Sequence, residues 1–82
     1  MQITIAAEAQ RQYKKFPKSA QTKIKKKLNA LKDSPLLGKK LEGELTEYRS
    51  LRAWPYRIIY SIDETKEEII VKTIIHRQGA YK

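Results

Sequence analysis

Eighty-two residues leave room for one domain, expected to span 1–82, with a thin core, because so short a chain buries only about 60% of its unfolded surface. That argues against a deep enclosed cofactor pocket and for chemistry on an open face. The absence of cysteine excludes disulfides and thiolate catalysis, and a single histidine leaves little from which to build a metal site.

The net charge of +9 is unevenly spread. Residues 1–41 carry eleven Lys/Arg against Glu8 and Asp33, while residues 42–82 carry seven of each sign. The excess therefore sits on the predicted helical half. Such a field attracts polyanions and acidic proteins, although a solvated lysine-rich helix face would have the same composition. The segment MQITIAAEAQRQYKK has no apolar run of signal-peptide length and its basic residues follow the apolar ones. Nothing approaches the ~18 apolar residues of a membrane span. A soluble, cytoplasmic chain with no membrane partner is expected.

In chain order, Ile3 and Ile5 alternate with polar residues and predict a short strand over 2–6. Ala6, Ala9, Tyr13 and Phe16 then recur at helical spacing and predict a first helix over 7–16. Pro17 interrupts it and can open the next helix. From 18 to 33, Ala20, Ile24, Leu28 and Leu31 share one helical face. Lys23, Lys25, Lys26, Lys27 and Lys32 take the remainder, with Lys27 close enough to the apolar edge to snorkel along it. Asp33-Ser34-Pro35 ends this helix, and 34–43 reads as a loop.

The second half reads as strands. Residues 45–54 alternate imperfectly, and Pro55 suits a turn or an edge. In 56–62, Tyr56, Ile58, Tyr60 and Ile62 share one face, with Arg57, Ile59 and Ser61 opposite. Asp63-Glu64-Thr65-Lys66 is a polar turn. In 67–75, Ile69, Val71, Thr73 and Ile75 oppose Ile70, Lys72 and Ile74. The predicted fold is α+β: two N-terminal helices packed on one face of a small, mainly antiparallel sheet, in the order β-α-α-β-β-β. The other face is left for function.

Arg49, Arg52, Arg57 and Arg77 form a strand-borne or strand-end set of cations. If the apolar set of 56–62 faces the helices, Arg57 lies on the open face, where a guanidinium can hold phosphate in a bidentate fork. Ion pairs with Glu42, Glu44 or Glu47 are the alternative use for these arginines. His76, Arg77 and Tyr81 complete a set able to cleave RNA without a metal or cofactor. A 2′-hydroxyl must lose a proton, the phosphorane needs cationic support, and the leaving oxygen must gain a proton. Tyr81, with an ordinary pKa near 10, could equally stack on a base. Lys23, Lys26 and Lys27 are candidates for nonspecific RNA contacts.

The runs YRSLRAWPYRIIYSID and EEIIVKTIIHRQGAYK resemble the RelE/ParE superfamily of type II toxin–antitoxin toxins. The marks are Leu-Arg followed by Tyr-Arg-Ile-Ile-Tyr on adjacent strands, then a last strand entering His-Arg with a tyrosine five residues after the histidine. The resemblance covers about half of the chain by motif and nearly all of it by layout. It implies one of two activities: RelE-like cleavage of mRNA in the ribosomal A site, or ParE-like inhibition of DNA gyrase without a nuclease. For the first, it implies that Arg57 supports the scissile phosphate, that Arg77 or His76 assists, that Tyr81 takes part in proton transfer, and that Arg52 is a supporting cation. The best-known RelE pattern has lysines where this chain has Tyr48 and Ser50, which opens the identity of the general base to Glu47 or His76. The expected partners are the ribosome, its mRNA, and a cognate antitoxin with an acidic or amphipathic segment, in a hetero-oligomer. An inactive, purely basic binding module is the remaining possibility.

Overall fold

The short alternation at the N-terminus becomes strand β1 (Gln2–Ile5), and the two amphipathic stretches become helices α1 (Ala7–Lys15) and α2 (Lys18–Asp33). The structure, a computed structural model, describes residues 1–43 and 47–76. A 3-10 turn at Pro35–Leu37 leads to the two-residue strand β2 (Lys39–Lys40). Strands β3 (Tyr48–Ala53), β4 (Tyr56–Asp63) and β5 (Glu68–His76) follow. Among the described residues, five strands form one sheet in the order β1-β5-β4-β3-β2, antiparallel except for the parallel β1–β5 pair. The expected α+β arrangement is the observed one, with β2 added at the edge.

Pro17 takes the N-cap position of α2, where its missing N–H costs nothing. The corner between the helices is closed by Gln21, whose side-chain amide donates to the carbonyls of Tyr13 and Phe16, while the Tyr13 hydroxyl donates to the Gln21 carbonyl. Ala20, Ile24, Leu28 and Leu31 bury the apolar stripe of α2 against Leu51, Ile58, Tyr60, Ile69, Val71 and Ile74 of the sheet. Lys27 is half-buried beside that stripe.

Two features depart from simple alternation. Between Ile59 and Tyr60 the β4–β5 register slips, so that Ile59 pairs with Thr73 but Tyr60 with Val71, leaving Lys72 as the extra residue of a bulge. Ile74 thereby joins Ile69 and Val71 in the core. This corrects the expected grouping of Ile74 with Ile70 and Lys72. Past Ile5, β1 no longer covers the outer margin of β5, and α1 does so instead. Its Gln12 accepts from the Ile74 N–H at 2.7 Å and exchanges hydrogen bonds with the Thr73 hydroxyl.

The second tyrosine of Tyr-Arg-Ile-Ile-Tyr has a structural task. Tyr60 is fully buried. Its hydroxyl accepts from the Gly38 N–H and donates to the Pro35 carbonyl, both at 2.8 Å, pinning the segment between α2 and β2 to the sheet. Burial pushes the phenol pKa above its ordinary value, and the Gly38 hydrogen bond and the Arg49 charge offset this only in part. No helix among the described residues is long and apolar enough to cross a membrane.

Candidate nucleic-acid interface on the face away from the helices

Strands β3 and β4 meet through the two-residue turn Trp54-Pro55, whose peptide bond is cis. This turn sets the register that pairs Ala53 with Tyr56, Arg52 with Arg57, Leu51 with Ile58 and Ser50 with Ile59. Tyr56, Ile58 and Tyr60 are buried with Leu51 and Ala53 on the helix-bearing side. Alternation then carries Arg52, Ser50 and Tyr48 of β3, and Arg57, Ile59 and Ser61 of β4, to the other face. The two guanidinium-bearing residues are directly opposite neighbours on that face.

A neighbouring strand adds a third cation. Lys39 of β2 is the register partner of Ser50. Residues including Leu37, Lys39, Leu41, Ser50, Arg52 and Arg57 line a shallow cleft of about 390 Å³. Its lining combines the aliphatic Leu37 and Leu41 with the cationic Lys39, Arg52 and Arg57. Further along the face, the Lys72 ammonium from the bulge lies 3.4 Å from the Tyr48 hydroxyl and 5.0 Å from the centre of its ring. Such a contact combines a weak hydrogen bond with cation–π attraction.

The other expected site residues are placed elsewhere. Arg49 pairs with Tyr60, on the helix-bearing side, and its guanidinium donates to the Gly38 carbonyl at 2.8 Å. Of the four arginines grouped from the sequence, Arg49 is thus on the opposite face from Arg57. Lys23, Lys26 and Lys27 lie on α2, across the sheet from Arg57, and Lys23 donates to the Trp54 carbonyl at 2.9 Å. His76 pairs with Tyr56, and their rings meet edge to face with centres 5.2 Å apart. Phe16 packs on the same tyrosine at 4.4 Å. The histidine therefore ends β5 on the helix side, with Arg57 on the reverse. Glu47 is exposed just before β3. Arg77 and Tyr81 lie outside the described residues.

The family model for the ParE toxin of type II toxin–antitoxin systems matches residues 3–81, nearly the whole chain. The chain belongs to the ParE toxin family. Solved structures of similar toxins share its fold. The RelBE2 toxin–antitoxin complex of Mycobacterium tuberculosis contains a chain 27% identical, with a TM-score of 0.85 over 93% of this chain and 96% of that one. The YoeB–YefM complex of Staphylococcus aureus gives 26% identity and a TM-score of 0.78, covering 93% and 95%. The isolated RelE toxin of E. coli, at 21% identity and a TM-score of 0.81, covers 98% and 87% and shows the common fold. No curated protein sequence matches the chain.

For this ParE-family toxin, the structure adds two residues that sequence reasoning passed over. Lys39 and Lys72 stand beside Ser50 and Tyr48, the two positions where the resembling pattern carries lysines. Cations near these two β3 positions are thus supplied from β2 and, across β4, from β5. Lys39 was hidden because a two-residue strand has no period to read. Lys72 was hidden because a bulge leaves no mark in the alternation.

Proposed function

We propose that this toxin is a ribosome-dependent mRNA endonuclease that stops translation in the cytoplasm. The observation that carries the reading is the Arg52–Arg57 pair, directly opposed across β3 and β4 on the face away from the helices. Two guanidinium groups side by side can grip one phosphate group through charge-assisted hydrogen bonds. Lys39 and Ser50 extend the same surface along the strand direction, as a nucleic-acid backbone requires.

In the proposed reaction a base removes the 2′-hydroxyl proton and the oxygen attacks the adjacent phosphorus. The bond to the 5′-oxygen breaks, that oxygen takes up a proton, and a 2′,3′-cyclic phosphate remains. Arg57 and Arg52 stabilise the charge building on the phosphorane. Tyr81 and Arg77 are assigned to proton transfer and further support. His76 is left out of the reacting set because it sits on the helix side of the sheet against Tyr56. The α2 lysines Lys23, Lys26 and Lys27 are assigned to nonspecific contact with ribosomal RNA. No metal or cofactor takes part. The solved relatives from M. tuberculosis and S. aureus are complexes with antitoxins. By the same reading, an acidic or amphipathic segment of a cognate antitoxin covers the basic surface here, in a hetero-oligomer.

Gyrase inhibition without nuclease activity is the second reading. It is favoured by the ParE description of the family and by the position of His76 on the opposite side of the sheet from Arg57. One experiment separates the two. Purified toxin is added to translating ribosomes, mRNA ends are mapped by primer extension, and gyrase supercoiling is assayed in parallel. New mRNA ends are expected, with Arg57→Ala reducing cleavage about 10²–10³-fold, the usual effect of removing one charge-stabilising donor, and Tyr81→Phe also impairing it. Intact mRNA together with blocked supercoiling would establish the gyrase reading instead.

A further inference from the structure

Trp54 is the chain's only tryptophan, and it is 54% exposed at the tip of the β3–β4 hairpin. More than half of its surface is open to a ligand in solution. The turn that carries it is firmly held. Ala53 and Tyr56, the residues flanking the turn, are register partners and both buried. From the other side of the sheet, the Lys23 ammonium donates to the Trp54 carbonyl at 2.9 Å.

The charged residues nearest this turn along β3 and β4 are cationic. Arg52 precedes it by two residues and Arg57 follows it by three, which places the opposed arginine pair about 7 Å away at ~3.3 Å per strand residue. Lys23 adds a cation from α2. No acidic residue occurs anywhere from Tyr48 to Ile62. An aromatic surface bordered by cations matches an unpaired nucleotide, which offers a flat apolar base next to an anionic phosphate.

We propose that Trp54 is a stacking platform for an unpaired RNA base whose neighbouring phosphate rests on Arg52 and Arg57. The assignment rests on RNA being the toxin's target, and it adds a base-binding position to the phosphate grip. Because every base presents a π-face, the platform contributes affinity and register without selecting a codon.

The sole tryptophan supplies its own reporter. The full-length toxin is titrated with a single-stranded hexaadenylate, and in parallel with poly-L-glutamate at equal charge, while indole fluorescence is followed. Saturable quenching by the RNA alone is expected. Trp54→Ala should weaken hexaadenylate binding, read by anisotropy of labelled RNA, about tenfold, within the range for loss of one stacked base. Trp54→Phe should retain most of the affinity, and thermal melting confirms that both variants are folded. In the ribosome assay Trp54→Ala should raise KM and leave kcat nearly unchanged. Unaltered affinity and KM in folded Trp54→Ala would overturn the platform while leaving the nuclease reading intact. Quenching by poly-L-glutamate equal to that by RNA would also overturn it, in favour of an acidic protein partner. RNA-specific quenching by a protein that cuts no mRNA would uphold the platform and refute the nuclease.

Discussion

Gly38→Ala is expected to be among the most damaging small substitutions in this toxin. A Cβ built at Gly38 would lie 2.6 Å from the Tyr60 hydroxyl oxygen and 2.7 Å from a ring carbon, closer than non-bonded atoms tolerate. Tyr60 is fully buried, so its ring has nowhere to retreat. Overpacking of this kind costs about 1–3 kcal/mol. Moving the ring also breaks the hydrogen bonds from Gly38 and to Pro35, each worth about 1 kcal/mol. A total of about 3–5 kcal/mol follows, a large share of the roughly 5–15 kcal/mol that holds a small domain together. At about 4–8 °C per kcal/mol for a domain of this size, the melting temperature should fall by at least about 12 °C. Urea denaturation of the wild type, Gly38→Ala and Tyr60→Phe measures the effect. Tyr60→Phe should cost about 2–3 kcal/mol, because it leaves the buried Gly38 N–H and the half-buried Pro35 carbonyl without their partner. A loss below ~1 kcal/mol for Gly38→Ala would show that the clamp between the α2–β2 segment and the sheet is not as tight as described.

Three further outcomes follow from the structure. Because burial raises the Tyr60 pKa, the native state keeps this proton above pH 10 while the unfolded chain releases it. The Tyr60 contribution to stability is therefore complete below pH 10 and declines as pH rises from there to the raised native pKa; urea midpoints across pH 8–11 should show a steeper fall for wild type than for Tyr60→Phe. Arg52→Gln removes one of two opposed like charges, so it should leave stability unchanged or raise it by about 0.2–0.5 kcal/mol while weakening RNA binding; parallel melting and anisotropy measurements test this, and a marked loss of stability would contradict it. If Arg52, Arg57 and Lys39 each neutralise a phosphate, the logarithm of single-strand affinity should fall against log salt with a slope near −2, about −0.7 per contact, and Lys39→Ala should lower the magnitude of that slope by about 0.7.

Long-period patterning made the main architecture readable. The 3.6-residue recurrence of Ala20, Ile24, Leu28 and Leu31 marks α2 from Lys18 to Asp33, and the alternation from Tyr56 to Ile62 marks β4 and its buried face. What escaped is structure without a period. The hairpin register decides which arginine accompanies Arg57. Across a two-residue turn that pairs Ala53 with Tyr56, an odd-numbered residue of β4 faces an even-numbered residue of β3. Arg52 is therefore the neighbour and Arg49 is not. The bulge at Lys72 shifts Ile74 by one place and sends it inward. Lys39 acquires its position from pairing with Ser50, a contact between distant residues that no local window contains.

The outer margin of β5 is finished by a side chain where a strand would otherwise lie. Gln12 occupies the hydrogen-bonding place that β1 vacates after Ile5. An unguarded margin there would be a template for a foreign strand. Loss of the glutamine would leave the Ile74 N–H open to a foreign strand, a route to self-association that has nothing to do with catalysis. A toxin variant altered at position 12 could fall silent by aggregating while every cation of its working surface stays in place.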